Sequence, residues 1–124
     1  MSDYIISSEN FEDLLISGVP FLDVRAEVEF SKGSFPTSTN IPILNDDERH
    51  IVGTYYKKNG REKAIELAHA LIKGPTKKQR IKAWCEFVAA NPETHIYCLR
   101  GGLRSRYARD WILASGFNIP LING

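Results

Sequence analysis

The sequence predicts an α/β domain: a mainly parallel central sheet with helices on both faces. Three observations carry this. Short apolar runs, too brief for helices, recur as "YIIS", "PFLDV", "NIPIL", "HIYCL" and "IPLIN". Segments with apolar residues at helical spacing lie between them, as in repeated strand–helix units. At 124 residues, 43% hydrophobic and 25% charged, the chain has the size and composition of one domain with a single core.

The elements follow in order. "YIIS" is a β-prone run, and Ser8 can cap a helix that places Phe11, Leu14 and Leu15 on one face and stops at Gly18. "PFLDV" reads as a buried strand closed by Asp23 and Arg25. "NIPIL" reads as a strand whose Pro42 assigns it to an edge or a strand end. "NDDERH" reads as a solvated loop. "REKAIELAHALIK" aligns Ile65, Ala68, Leu71 and Ile72 and is closed by Gly74 and Pro75. "TKKQRIKAWCEFVAA" opens on a capping box from Thr76 to Gln79, aligns Ile81, Trp84, Cys85 and Val88, and ends at Asn91-Pro92. "HIYCL" is a buried strand, with His95 at its core or edge. Residues 104–115 form a helix with Tyr107, Ala108, Trp111 and Ile112 inward and Gly116 as its stop. "IPLIN" is the last strand.

Composition excludes several classes of function. A net charge of +1 leaves no global nucleic-acid footprint, so RNA binding would need a local patch or another domain. One such patch is "YYKKNGREK", where Tyr56, Lys57, Lys58 and Arg61 could meet RNA or form a plain solvated face. The amino terminus lacks the pattern of a secretory signal, and no apolar run approaches a membrane span. Two cysteines make neither a disulfide framework nor a zinc site, and the histidines show no metal spacing. The expectation is a cytoplasmic domain without metal or cofactor.

The chemistry concentrates in "IYCLRGGLRS". Cys98 sits where a strand gives way to a helix, and ligands of parallel sheets lie beyond the carboxyl ends of strands. Gly101 and Gly102 allow the backbone N–H groups of Leu99 to Leu103 to converge on an anion. The helix start, Arg100, Arg104 and Ser105 add positive potential and a hydroxyl donor. Such surroundings favour a thiolate, so Cys98 is the candidate nucleophile. Cys85, on an apolar helical stripe beside Trp84, is expected to be an inert core residue.

"FLDVRAEVEFSKGSFPTSTNIPIL" resembles the rhodanese signature through Asp23, Val24, Arg25, Glu29, Phe30, Gly33, Pro36, Asn40, Ile41 and Pro42. With "NDDERHIVGTYYKKNGREKAIELAHALIKG" and "CLRGGLRS", nearly the whole chain resembles the N-terminal domain of the tRNA 2-selenouridine synthase family. The resemblance implies a rhodanese-like fold with Cys98 carrying sulfur or selenium and the residues from Leu99 to Ser105 holding the attached anion. It implies tRNA and selenophosphate as partners through a full-length enzyme. It also implies a P-loop domain beyond Gly124, a pattern these 124 residues do not contain. In the family a glycine is expected where Ala68 stands. Asp23 and Arg25 would support the cysteine loop or cap the strand, and Glu29 would pair with Arg25. Two other readings stay open. Cys98 and Arg104 enclose five residues before Ser105, the spacing of cysteine-dependent phosphatases. The domain could also be a binding module without catalysis.

Overall fold

The computed structural model describes residues 5–7, 16–97 and 103–123. Five strands form one parallel sheet in the order β1-β5-β4-β2-β3. The elements are β1 (Ile5–Ser7), β2 (Phe21–Asp23), α1 (Glu27–Lys32), β3 (Ser38–Asn40), α2 (Asp46–Asn59), α3 (Arg61–Leu71), α4 (Pro75–Ala90), β4 (His95–Tyr97), α5 (Leu103–Ala114) and β5 (Leu121–Asn123). The α/β class expected from the apolar runs is therefore present. Residues 8–15, which hold most of the helix expected after β1, lie outside the described residues. Ile16 and Ser17 are helical, and Gly18 follows with φ 73°.

Register gives each face of the sheet its residues. Leu22 stands beside Ile96 and Ile96 beside Leu121, and all three are buried in one cluster with Ile72, Trp84, Val88, Ala108 and Ile112. That cluster packs α3, α4 and α5 against the sheet. Phe21 and His95, also in register, occupy the opposite face, where Phe21 packs against Phe35 at 5.6 Å between ring centroids. His95 is buried there with its ring edge-on to Phe21, and its Nδ1 lies 2.9 Å from the carbonyl oxygen of Glu93. It is a core residue, as expected.

Three elements differ from the sequence reading. The third strand is Ser38–Asn40 and not the following "NIPIL" run. Pro42 has no N–H to continue the ladder. Ile41 and Ile43 still donate to the carbonyls of Asp23 and Val24, at 3.0 and 3.1 Å, so the segment trails along the exit of β2. The edge position expected from Pro42 is observed. "NDDERH" is no loop: it opens the 14-residue helix α2. Asn45 and Glu48 form a reciprocal capping box, and three acidic residues occupy the positive first turn. Finally, the box expected from Thr76 to Gln79 is absent. Pro75 takes the first helical position after Gly74, whose φ of 61° suits glycine, so Thr76 is already inside α4.

Helix α4 secures the trailing segment. Trp84 Nε1 donates to the carbonyl of Ile41 at 2.8 Å, and Arg80 Nη1 donates to that of Ile43 at 2.7 Å. Arg80 also pairs with Glu48 at 2.8 Å, which ties α4 to the start of α2. Trp84 is fully buried, so Trp84→Ala should destabilise the fold by about 3–5 kcal/mol through the cavity it leaves. It also strands the Ile41 carbonyl. Urea unfolding followed by circular dichroism should show that loss, whereas a variant of equal stability would mean Trp84 does not anchor this segment.

Candidate active site

The neighbouring strands β2 and β4 run in the same direction, so their carboxyl ends lie side by side. Residues 24–26 lead from β2 into α1, and residues 98–102 lead from β4 into α5. Cys98, Leu99, Arg100, Gly101 and Gly102 lie outside the described residues. Leu103, Arg104 and Ser105 form the first turn of α5.

The exit of β2 is bound to itself. Asp23 is fully buried and accepts the Arg25 backbone N–H at 2.9 Å and the Arg25 guanidinium at 2.8 Å. The same guanidinium donates to the carbonyl of Gly33 at 2.7 Å, which reaches across α1. Asn40 on β3 donates to the carbonyls of Asp23 and Arg25 at 3.0 and 2.8 Å. Asp23 and Arg25 thus hold the turn from β2 into α1.

The pairing expected between Glu29 and Arg25 is not formed. Arg25 is committed to Asp23, two residues away, and Glu29 instead turns to the other helices. Its Oε1 accepts Arg104 Nη1 at 2.6 Å, and its Oε2 accepts Arg104 Nη2 at 3.1 Å. Arg49, in α2, adds a contact at 3.1 Å, and the Ala26 N–H another at 3.1 Å. One carboxylate therefore joins α1, α2 and α5. Burial pushes the Glu29 carboxyl upward, but the Arg104 hydrogen bonds and charge, the Ala26 N–H and Arg49 outweigh it and hold it below its ordinary value of 4.5.

Arg104 is thus a positioned residue at the site, gripped from α1. Ser105 is fully buried beside it. Two guanidiniums share one carboxylate, so the cluster keeps a positive balance at the start of α5, where a helix N-terminus also favours anions. Cys85 behaves differently. It is half-buried on α4, and burial pushes its thiol up against a weaker opposing hydrogen bond from Ser115. The core position expected for it is thus only partly met: the thiol is half-buried, and its burial disfavours the thiolate.

A cavity of about 620 Å³ opens beside Arg104. Its walls come from α2, α3 and α5, among them Tyr56, Ala68, His69, Tyr107 and Trp111. The sequence reading assigned Tyr107 and Trp111 to the core alone. The signal was their spacing: Leu103, Arg104, Tyr107 and Trp111 follow one helical face. Of the expected RNA patch, Tyr56 and Arg61 line the cavity, whereas Lys57 and Lys58 are exposed on α2 away from it. Among the described residues no cluster of His, Cys, Asp and Glu is placed to hold a metal ion, and no helix is long and apolar enough to cross a membrane.

A protein of Marinobacter nauticus named tRNA 2-selenouridine synthase is 52% identical over 117 residues, covering 94% of this chain and 32% of that protein. The chain is a homologue of one third of a tRNA 2-selenouridine synthase. Two Shewanella proteins of the same name agree: those of S. denitrificans and S. sediminis are 49% and 46% identical over 124 residues, the whole of this chain and 34% of each synthase. The chain thus spans about a third of the length of these synthases. No protein-family model matches it. Among solved structures, the N-terminal domain of a Clostridium difficile 630 protein named for ATP/GTP binding superposes with a TM-score of 0.78 at 27% identity. That match covers 97% of this chain and 91% of that domain, so the two share one α/β fold.

A carboxyl whose folded-state pKa is lowered stabilises the fold above its unfolded pKa, and that contribution fades as pH falls through the folded value. Glu29→Gln should therefore cost about 2 kcal/mol at neutral pH, from lost charged hydrogen bonds. The gap between the two proteins should close as pH falls below 4.5. Urea titrations between neutral pH and pH ~3 measure it; a gap independent of pH would mean that the Glu29 charge does not join the three helices.

Proposed function

We propose that this chain is the chalcogen-carrying, rhodanese-like domain of a cytoplasmic enzyme that converts wobble 2-thiouridine in tRNA to 2-selenouridine with selenophosphate. In this reading Cys98 is the nucleophile that receives and passes on selenium or sulfur. The backbone from Leu99 to Leu103, with Arg100, Arg104 and Ser105, holds the attached anion. The domain itself uses no metal or cofactor. The observation that carries the reading is the fixed position of Arg104. Glu29 grips it in the first turn of α5, beside buried Ser105 and directly after the "CLRGG" run at the carboxyl end of β4. A strand end, a glycine pair, a helix start and a braced arginine together make an anion site around one thiol.

The names of the homologues support the reaction, and their threefold greater length supports a division of labour. The remaining two thirds would supply a P-loop domain and most of the grip on tRNA. A structural neighbour that is the N-terminal domain of a protein named for ATP/GTP binding fits this division. A net charge of +1 provides little long-range attraction for RNA in the present domain.

The test is nucleoside analysis of tRNA from cells whose full-length enzyme carries Cys98→Ser. Serine keeps the shape of the site, but its oxygen cannot carry sulfur or selenium in the same way, so 2-selenouridine should vanish while 2-thiouridine accumulates. The excised domain, supplied alone, should restore none. Normal 2-selenouridine with Cys98→Ser would show that this thiol is not the carrier.

A further inference from the structure

We propose that the cavity between the α2–α3 hairpin and α5 is a base pocket for the acceptor RNA: one unstacked nucleotide enters it, its base against Tyr56 and Tyr107 and its flanking phosphates at Arg49 and Arg61. The proposal rests on the chalcogen-transfer reading and adds where the acceptor sits. Two helical faces build the pocket. On α2, Arg49, Val52, Gly53 and Tyr56 follow one face; on α5, Arg104, Tyr107 and Trp111 follow another. The α5 face begins in that helix's first turn, where Leu103 and Arg104 line the pocket. Its volume of about 620 Å³ is that of a small-molecule site and far exceeds a packing defect.

The chemistry of the walls selects the occupant. Most of the lining is apolar, which suits a flat ring better than a free ion, and the arginines stand where phosphates would follow. Aromatic rings with nearby arginines are how RNA-binding domains hold splayed, single-stranded bases. Trp111 is already engaged: Trp84 stacks on it at 6.1 Å between centroids, and Lys77 Nζ lies 4.4 Å from its ring. It therefore forms the wall, with Tyr56 and Tyr107 as the platforms for the base. His69 packs edge-on to Tyr107 at 4.9 Å and fixes that ring. Lys57 and Lys58 sit roughly 100° and 200° around α2 from Tyr56 and leave the pocket to it.

The probe is a short single-stranded oligouridylate with one central 2-thiouridine, and the readout is quenching of the chain's tryptophan fluorescence, since Trp111 lines the pocket. Quenching should saturate. Tyr56→Ala and Tyr107→Ala should each weaken binding on the order of 5- to 100-fold, the worth of one stacked base. Lys57→Ala and Lys58→Ala should each change it by about threefold or less. Gly53→Phe guards against misfolded variants. A Cβ at Gly53 meets nothing within 4 Å, and Gly53 lines the pocket, so a side chain begun there has open space at its root. It should abolish binding while the thermal melt is retained. Unchanged affinity in folded Gly53→Phe, losses at Lys57 and Lys58 equal to those at the tyrosines, or no quenching of the unaltered chain up to millimolar RNA would each overturn the pocket. Cys98→Ser should bind the probe normally. If the pocket variants fail as expected but Cys98→Ser still supports conversion in the full-length enzyme, the pocket stands and the chalcogen reading falls; the converse result separates them the other way.

Discussion

Glu29 is the point at which three helices from separate parts of the chain become one site. It leaves the first turn of α1, receives both terminal nitrogens of Arg104 from α5, and holds Arg49 from α2. A surface ion pair contributes little to stability, but this carboxylate is largely shielded, and its geometry toward Arg104 is bidentate. Without it, two guanidiniums would face each other at the start of α5. The orientation of α5, and with it the geometry of any anion held at its N-terminus, depends on this carboxylate.

The buried Asp23–Arg25 pair performs a complementary task. Sealed at the end of β2, it fixes the turn that carries Glu29 into place, and its reach to Gly33 closes the far end of α1. A buried pair of this kind costs desolvation that its attraction barely repays, so its value lies in specifying one conformation of the turn. Asn40 from β3 and the Ile41–Ile43 segment complete the brace, and α4 caps that segment through Trp84 and Arg80. The support for the site is therefore continuous, from the edge strand to the first turn of α5. Helices α2 and α3 stand further out. No residue of α2 is fully buried, and the cavity opens between the pair and α5, while Ala68 of α3 and Ile72 just after it reach the core.

The parallel sheet and the helices α3, α4 and α5 were legible because their apolar residues repeat at the periods of strands and helices, and burial of Leu22, Trp84, Ala108 and Ile112 follows those repeats. Helix α2 was hidden for the same reason. Its opening "DDERH" is charged on every side, and its formation rests on the Asn45–Glu48 box and on acids at a helix start, which are local signals without hydrophobic periodicity. The Glu29 pairing was misread because sequence proximity favoured Arg25, whereas the true partner stands 75 residues away. Pairing across such distances is set by the sheet order, which a single sequence does not reveal. Arg109 is the same kind of case: a charge on a helix looks solvent-facing, yet it is buried and donates to the carbonyl of Ile119 at the entry to β5.

The central claim is that one thiol is poised to carry a chalcogen and the other is not. Thiosulfate tests it on the isolated chain: a thiolate attacks the outer sulfur, sulfite leaves, and one sulfur atom remains on the cysteine. Intact-mass and peptide mass spectrometry after a brief exposure should find that added sulfur on Cys98, removable by a thiol reductant, with Cys85 unmodified because burial raises its thiol pKa. Sulfur distributed equally over Cys85 and Cys98, or absent from both in the folded protein, would contradict the account.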